Sequence, residues 1–88
     1  MKLTGSVIKE QGVTFGVLLI KKPAFNTQSV REEARVAASS MPMFRNIPLV
    51  LACQDSGGRM TYSGRRDLAN FLASVPVAAI PWKEYTVN

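Results

Sequence analysis

The sequence predicts a single small α+β domain spanning residues 1–88, built from one mixed β-sheet with two helices packed on it in the element order ββαββαβ. Several short segments alternate apolar and polar residues or are apolar throughout, as β-strands do. Two longer segments instead repeat apolar residues at helical spacing, which is typical of helices with one buried face. No internal repeat, low-complexity tract or Gly/Ser linker divides the chain, and its 47% apolar content is enough for one core.

The first two strands are predicted within residues 2–22. The segment KLTGSVIKE alternates only weakly, with Leu3 and Val7 on one side, which indicates a half-exposed edge strand. The dipeptide QG that follows suits a tight hairpin, because Gly12 can adopt a positive φ. The next segment, VTFGVLLIKK, is apolar on both faces in its second half and is therefore expected to be a central strand.

The first helix is predicted between these strands and Pro42, which discourages a helix from continuing through the preceding residue. One candidate N-cap is Asn26, with Phe25 and Val30 at the two positions of a hydrophobic staple. The alternative is Ser29, with Glu32 completing a capping box. In either case the apolar stripe follows a period of 3.6 residues. It comprises Val30, Ala34, Ala37, Ala38 and Met41.

The second half of the chain predicts a hairpin, a helix and a last strand. IPLVLACQ indicates a strand covered on both faces, DSGG a turn, and RMTY the strand that pairs back. The helix is expected to start from an N-cap at Ser63 and to end before Pro76. Because Pro81 cannot donate to a β-ladder, the strand in VAAIPWKEYTV should lie at an edge or contain a bulge. We expect the core to include Leu18, Leu19, Leu51, Leu68, Phe71 and Leu72.

The residue types present argue against catalysis and metal binding. The chain has no histidine and one cysteine, Cys53, which removes Ser-His-Asp and Cys-His catalytic groups and a structural zinc site. We therefore expect a non-enzymatic protein with no cofactor and no metal, in which Cys53 is a small apolar residue of a buried strand. The lone cysteine and the absence of a signal or membrane-length apolar run predict a cytoplasmic protein without membrane contact.

The strongest candidate for a binding site is the start of the second helix. Eleven basic and six acidic residues give a charge of +5, but the basic residues are scattered and form no run. The segment SGRRD nevertheless places two cations at a helix N-terminus, where the helix dipole disfavours them. A bound anion would reverse this effect, which makes Ser63, Gly64, Arg65 and Arg66 a candidate anion site. The alternative is that Asp67 complements the dipole and the arginine side chains extend into water.

Three further segments carry candidate contacts. Trp82 and Tyr85 are candidate partner-binding residues, and in a strand they would point to opposite faces, so that one is core and the other a contact. The segment MPMFRN either offers an adaptable binding surface or folds back over the end of the core. Lys21 and Lys22 form either a small basic rim or the charged exit of a strand from the core.

These features favour a small interaction module that associates with itself or with a protein partner through an edge strand. A homodimer formed at least partly through the first or the last strand is the specific prediction. The alternative is nucleic-acid or phospholigand binding through Ser63, Gly64, Arg65 and Arg66. A thiol enzyme using Cys53 has the least support, because the sequence provides no general base for it.

Overall fold

The computed structural model describes residues 2–10 and 12–86. Its strands are Lys2–Glu10 (β1), Val13–Leu19 (β2), Leu49–Gln54 (β3), Met60–Ser63 (β4) and Lys83–Thr86 (β5). Its helices are Lys22–Phe25 (α1), Gln28–Ser39 (α2) and Arg66–Ala73 (α3), with short 3-10 turns at Pro42–Phe44 and Val77–Ala79. One sheet has the strand order β4-β3-β2-β1-β5, with β2 and β3 parallel and the other neighbours antiparallel. The predicted fold class and the order ββαββαβ are confirmed, with α1 as a short addition.

The central strand β2 and the edge strand β5 have their predicted positions in the sheet, but β1 does not. β5 is shorter than the predicted segment VAAIPWKEYTV, because Val77–Ala79 form a 3-10 turn instead of a strand. Phe15, Val17 and Leu18 of β2 are fully buried, as expected for a central strand, and β5 is at an edge. The predicted edge position of β1 is wrong, because β1 pairs with β2 on one side and with β5 on the other. Its weak alternation comes from small buried residues: Ser6 is 1% exposed, and its hydroxyl donates to the carbonyl of Pro81 at 3.1 Å.

The two hairpins form as predicted. Glu10 pairs with Val13, and Gly12 between them has a φ of 78°, while Gln11 lies outside the described residues. The turn between β3 and β4 is closed by the Asp55 carboxylate, which accepts hydrogen bonds from the backbone N–H groups of Gly57 and Arg59, both at 2.9 Å. Short polar turns of this kind fix the register of the strands that they join.

The helices cover opposite faces of the sheet. Alternate residues of β2 and β3 point to the two sides, so that each side has its own core. The core on the α3 side comprises Phe15, Val17, Val50, Ala52, Leu68, Leu72 and Ile80. The core on the α2 side comprises Leu18, Ala38, Met41, Phe44, Leu49 and Leu51. The predicted α3 stripe is confirmed, since Leu68 and Leu72 are buried and Phe71 and Val75 pack against them.

The start of α2 differs from both predicted N-caps. Its N-cap is Thr27, not Asn26 or Ser29, and Val30 is 37% exposed rather than part of a staple. The reason is that the chain already becomes helical at Lys22, where Pro23 is favoured in a first turn. Asn26 then ends α1 as its C-cap, and α2 begins two residues later, at Gln28. The Thr27 hydroxyl donates to the carbonyl of Pro23 at 3.2 Å, which joins the two helices.

The segment MPMFRN folds back over the core, as one of its two interpretations predicts. The Phe44 ring is fully buried and packs edge-to-face with Tyr85, with 5.5 Å between ring centroids. It lies against Gly16, where an added Cβ would come within 2.6 Å of the ring. The glycine of a central strand therefore makes the space that this aromatic ring fills. Among the described residues, none of the helices has the length and apolar character that a membrane crossing requires.

Candidate functional site

The start of α3 is built differently from the predicted cap. Ser63 is the last residue of β4 and pairs with Leu51, so it is held in the sheet and cannot cap the helix. Arg65 is the N-cap, without a side-chain capping hydrogen bond, and Arg66 is the first helical residue. Gly64 connects strand to helix where the chain passes close to β3: a Cβ there would lie 3.2 Å from the Leu49 carbonyl oxygen. The predicted N-cap at Ser63 is therefore wrong.

The Arg65 side chain is paired within the protein. Its Nε donates to Oδ1 of Asp67 and its Nη2 to Oδ2, each at 2.8 Å, which makes a bidentate pair. The hydrogen bond from Arg65 lowers the pKa of the Asp67 carboxyl, and the same bond raises the pKa of Arg65. Asp67 also lies in the first turn of α3, where a negative charge is favourable. One carboxylate thus compensates both the helix dipole and the first arginine.

Arg66 is the remaining cation at this helix start. It is exposed, and none of the ion pairs among residues 2–10 and 12–86 involves it. The four predicted anion-site residues are consecutive in the chain and therefore lie together. However, the Arg65 guanidinium is paired with the Asp67 carboxylate. What this segment offers to a ligand is one guanidinium on an open surface.

Trp82 and Tyr85 both help to dock the last strand. They lie on opposite sides of the sheet, Trp82 with the α3-side core and Tyr85 with the α2-side core, and both are half-buried. The indole Nε1 of Trp82 donates to the carbonyl of Val77 at 3.2 Å. Tyr85 contacts Phe44 as described above. Each ring therefore has a packing role, and a role in partner binding stays a prediction.

The two edges of the sheet differ in chemistry. In β5, Lys83 and Glu84 are exposed, and Glu84 pairs with Lys2 at 3.4 Å. Charged residues of this kind oppose the addition of another strand. The β4 edge has the sequence MTYS, with no charged residue and no proline. Its Tyr62 ring packs on the α3-side core, while Thr61 is exposed. The β4 strand is thus the less protected edge.

A groove of about 690 Å³ lies at the end of the sheet where β1 begins and where the parallel strands β2 and β3 end. We call it the end groove. Its lining comprises Lys2, Leu3, Thr4, Leu19, Ile20, Lys21, Ala24 and Gln54. The sequence pattern places only Lys21 in a candidate site, as part of a possible basic rim, and it places Leu19 in the core. The lining residues lie in β1, β2, α1 and β3 and in the segment after β2, so their grouping requires the strand order, which short-range patterns do not encode.

The reactive side chains are dispersed. Cys53 is a free thiol that is 4% exposed, in agreement with its predicted place in a buried strand. Within the described residues, no three His, Cys, Asp or Glu side chains lie close enough together to hold a metal ion. Reactive thiols require exposure and a group that stabilises the thiolate. Burial therefore limits the access of solvent and reagents to the Cys53 thiol.

Comparison of the chain with protein-family models, with characterised proteins and with solved structures finds no match.

Proposed function

We propose that this protein is a non-enzymatic interaction module that binds an extended segment of a protein partner along the exposed edge of β4. The observation that supports the proposal most is the uncharged sequence MTYS of the edge strand β4. The other edge strand, β5, is charged. A free strand edge presents unpaired backbone N–H and C=O groups, and an added strand can satisfy them.

The edge is held in place by its neighbours. β4 pairs along its whole length with β3, in which Leu49 to Cys53 are buried. The chain then enters α3 within three residues, and α3 anchors Leu68 and Leu72 in the core. An edge that is already ordered loses little conformational entropy when a partner adds to it. This rigidity favours β4 as a template.

The charges around β4 indicate what kind of partner fits. Arg59 precedes the strand and Arg66 follows it, and both are exposed. Antiparallel pairing of two copies through β4 would bring Arg59 of one copy towards Arg66 of the other, and like charges repel each other. A partner segment with acidic residues at both ends would meet these arginines with opposite charge. A second protein is therefore favoured over a second copy at this edge.

The other predicted interactions have less support. Since β1 is paired on both sides, the predicted homodimer would have to use β5, whose edge is charged. The alternative function, nucleic-acid or phospholigand binding at Ser63, Gly64, Arg65 and Arg66, would depend mainly on Arg66, because Asp67 holds Arg65.

The test is calorimetric titration with a short peptide that has alternating Val and Thr in its centre and two Asp at each end. We expect a Kd of about 1 mM or tighter. Thr61→Lys places a charge on the β4 edge and should therefore abolish binding. Because Thr61 is exposed, the fold should be unaffected. Thr86→Lys makes the same change on β5 and is the matched control. Equal loss in both variants, or equal binding of a peptide with Lys at its ends, would contradict the proposal.

A further inference from the structure

We infer that the end groove is a second binding site, which takes a small aliphatic carboxylate with its tail on the apolar residues and its carboxylate at the lysines. The site is separate from the β4 edge. It therefore does not depend on the proposed strand addition.

The shape and apolar lining of the groove fit a small molecule. Leu3, Leu19, Ile20 and Ala24 supply aliphatic surface, and the volume of about 690 Å³ falls within the range of about 300–1,000 Å³ that small-molecule sites occupy. In open α/β sheets, ligands bind outside the carboxyl ends of the parallel strands. The end groove has this position relative to β2 and β3.

The charged residues of the groove indicate the charge of the ligand. Among the residues that the structure describes, the lining includes Lys2 and Lys21 and no acidic residue. Lys2 pairs at 3.4 Å with Glu84, but these side chains are 68% and 60% exposed, so the pair is weak and can exchange for another. Among the described residues, Glu84 balances one of these two lysines, which leaves one positive charge. A monoanion therefore balances the site.

The polar groups are few and lie among the apolar ones. Gln54 borders the groove, and its Nε2 donates to the carbonyl of Gly58 at 3.3 Å, which orients the amide. Thr4 also lines the groove. A mostly apolar cleft with a few fixed polar groups suits a ligand with a long apolar part and one polar end. An aliphatic carboxylate has this composition.

The experiment is a titration of the full chain with octanoate, followed by backbone amide resonances. The expected result is saturable shifts at residues 2–4, 19–21, 24 and 54. 1-Octanol has the same tail without the charge and should bind at least about fivefold more weakly, since it cannot pair with the lysines. Acetate keeps the charge without the tail and should give no saturable shift, because apolar burial supplies most of the affinity.

Variants distinguish binding in the end groove from non-specific electrostatic attraction of an anion to a basic protein. Lys21→Met keeps an apolar stem, removes the charge and should weaken octanoate binding about threefold to fivefold. Lys22→Met removes the neighbouring charge, which does not line the groove, and should change the affinity little. Ala24→Leu fills the groove with all charges retained and should abolish binding. Equal affinity for octanol and octanoate, equal effects of the two lysine variants, or saturable shifts elsewhere would overturn the inference.

Discussion

The contact between Gly16 and the Phe44 ring gives a sharp test of the packing. In Gly16→Ala, the added Cβ would lie 2.6 Å from Cδ1 of Phe44 and 2.9 Å from a methyl carbon of Leu49. Both distances are well below ordinary van der Waals contact, and both neighbouring side chains are buried. The ring or the strand must move, and overpacking of this kind costs about 1–3 kcal/mol. We expect the free energy of unfolding to fall by that amount.

A double-mutant cycle identifies the cause. Phe44→Leu removes the ring that meets the new Cβ, so Gly16→Ala should cost less in that background. The expected coupling energy is about 1–2 kcal/mol, measured by urea unfolding of the four proteins. The control is Gly57→Ala in an exposed turn, where the added Cβ comes no closer than 3.4 Å to another atom. Additive effects of the two core substitutions would refute the close contact between Gly16 and Phe44.

Three further predictions concern the core and the start of α3. Leu72→Ala empties a fully buried position and should lower the free energy of unfolding by about 2–5 kcal/mol in denaturant titration; a loss below about 0.5 kcal/mol would mean that the α3 stripe is misplaced. The Asp67 carboxyl should titrate below the ordinary Asp range in carboxyl-carbon NMR, and Arg65→Gln should return it to that range. Because its folded-state pKa is lowered, the stability that this pair contributes is present above the unfolded pKa and is lost as pH falls through the folded pKa; an unchanged titration in Arg65→Gln would show that the pair does not form. Sulfate should shift the backbone amide resonances of residues 63–67 only weakly and without saturation, because Asp67 already pairs with Arg65. Saturable shifts that disappear when Arg65 and Arg66 are both replaced by Gln would favour the anion site instead.

The elements that could be predicted are those whose pattern is local. β2, β3 and α3 follow from apolar runs and helical spacing within a few residues, and the structure confirms them. The position of β1 could not be predicted, because it depends on pairing between Lys2 and Thr86 at the far end of the chain. The glycine and serine of β1 indicate exposure by composition, yet they are buried because Phe44 and Pro81 lie against them.

The candidate sites, too, could be predicted only where the pattern is local. The segment SGRRD places two cations at a helix start, and one of its two interpretations predicts that Asp67 compensates the helix dipole. The structure adds the bidentate pair with Arg65, which requires that the helix begin at Arg66 rather than just after Ser63. The free edge at β4 and the end groove could not be predicted, because both are properties of the strand order.

The most direct test of the proposed function is to locate the bound peptide on the sheet. In a complex of the chain with the Asp-flanked peptide, nuclear Overhauser effects between backbone protons should connect the peptide to residues 60–63, in the alternating pattern of an added strand. The β4 proposal predicts such contacts at β4 and none at residues 83–86. Contacts along β5 instead, or peptide contacts confined to side chains without a strand pattern, would contradict it.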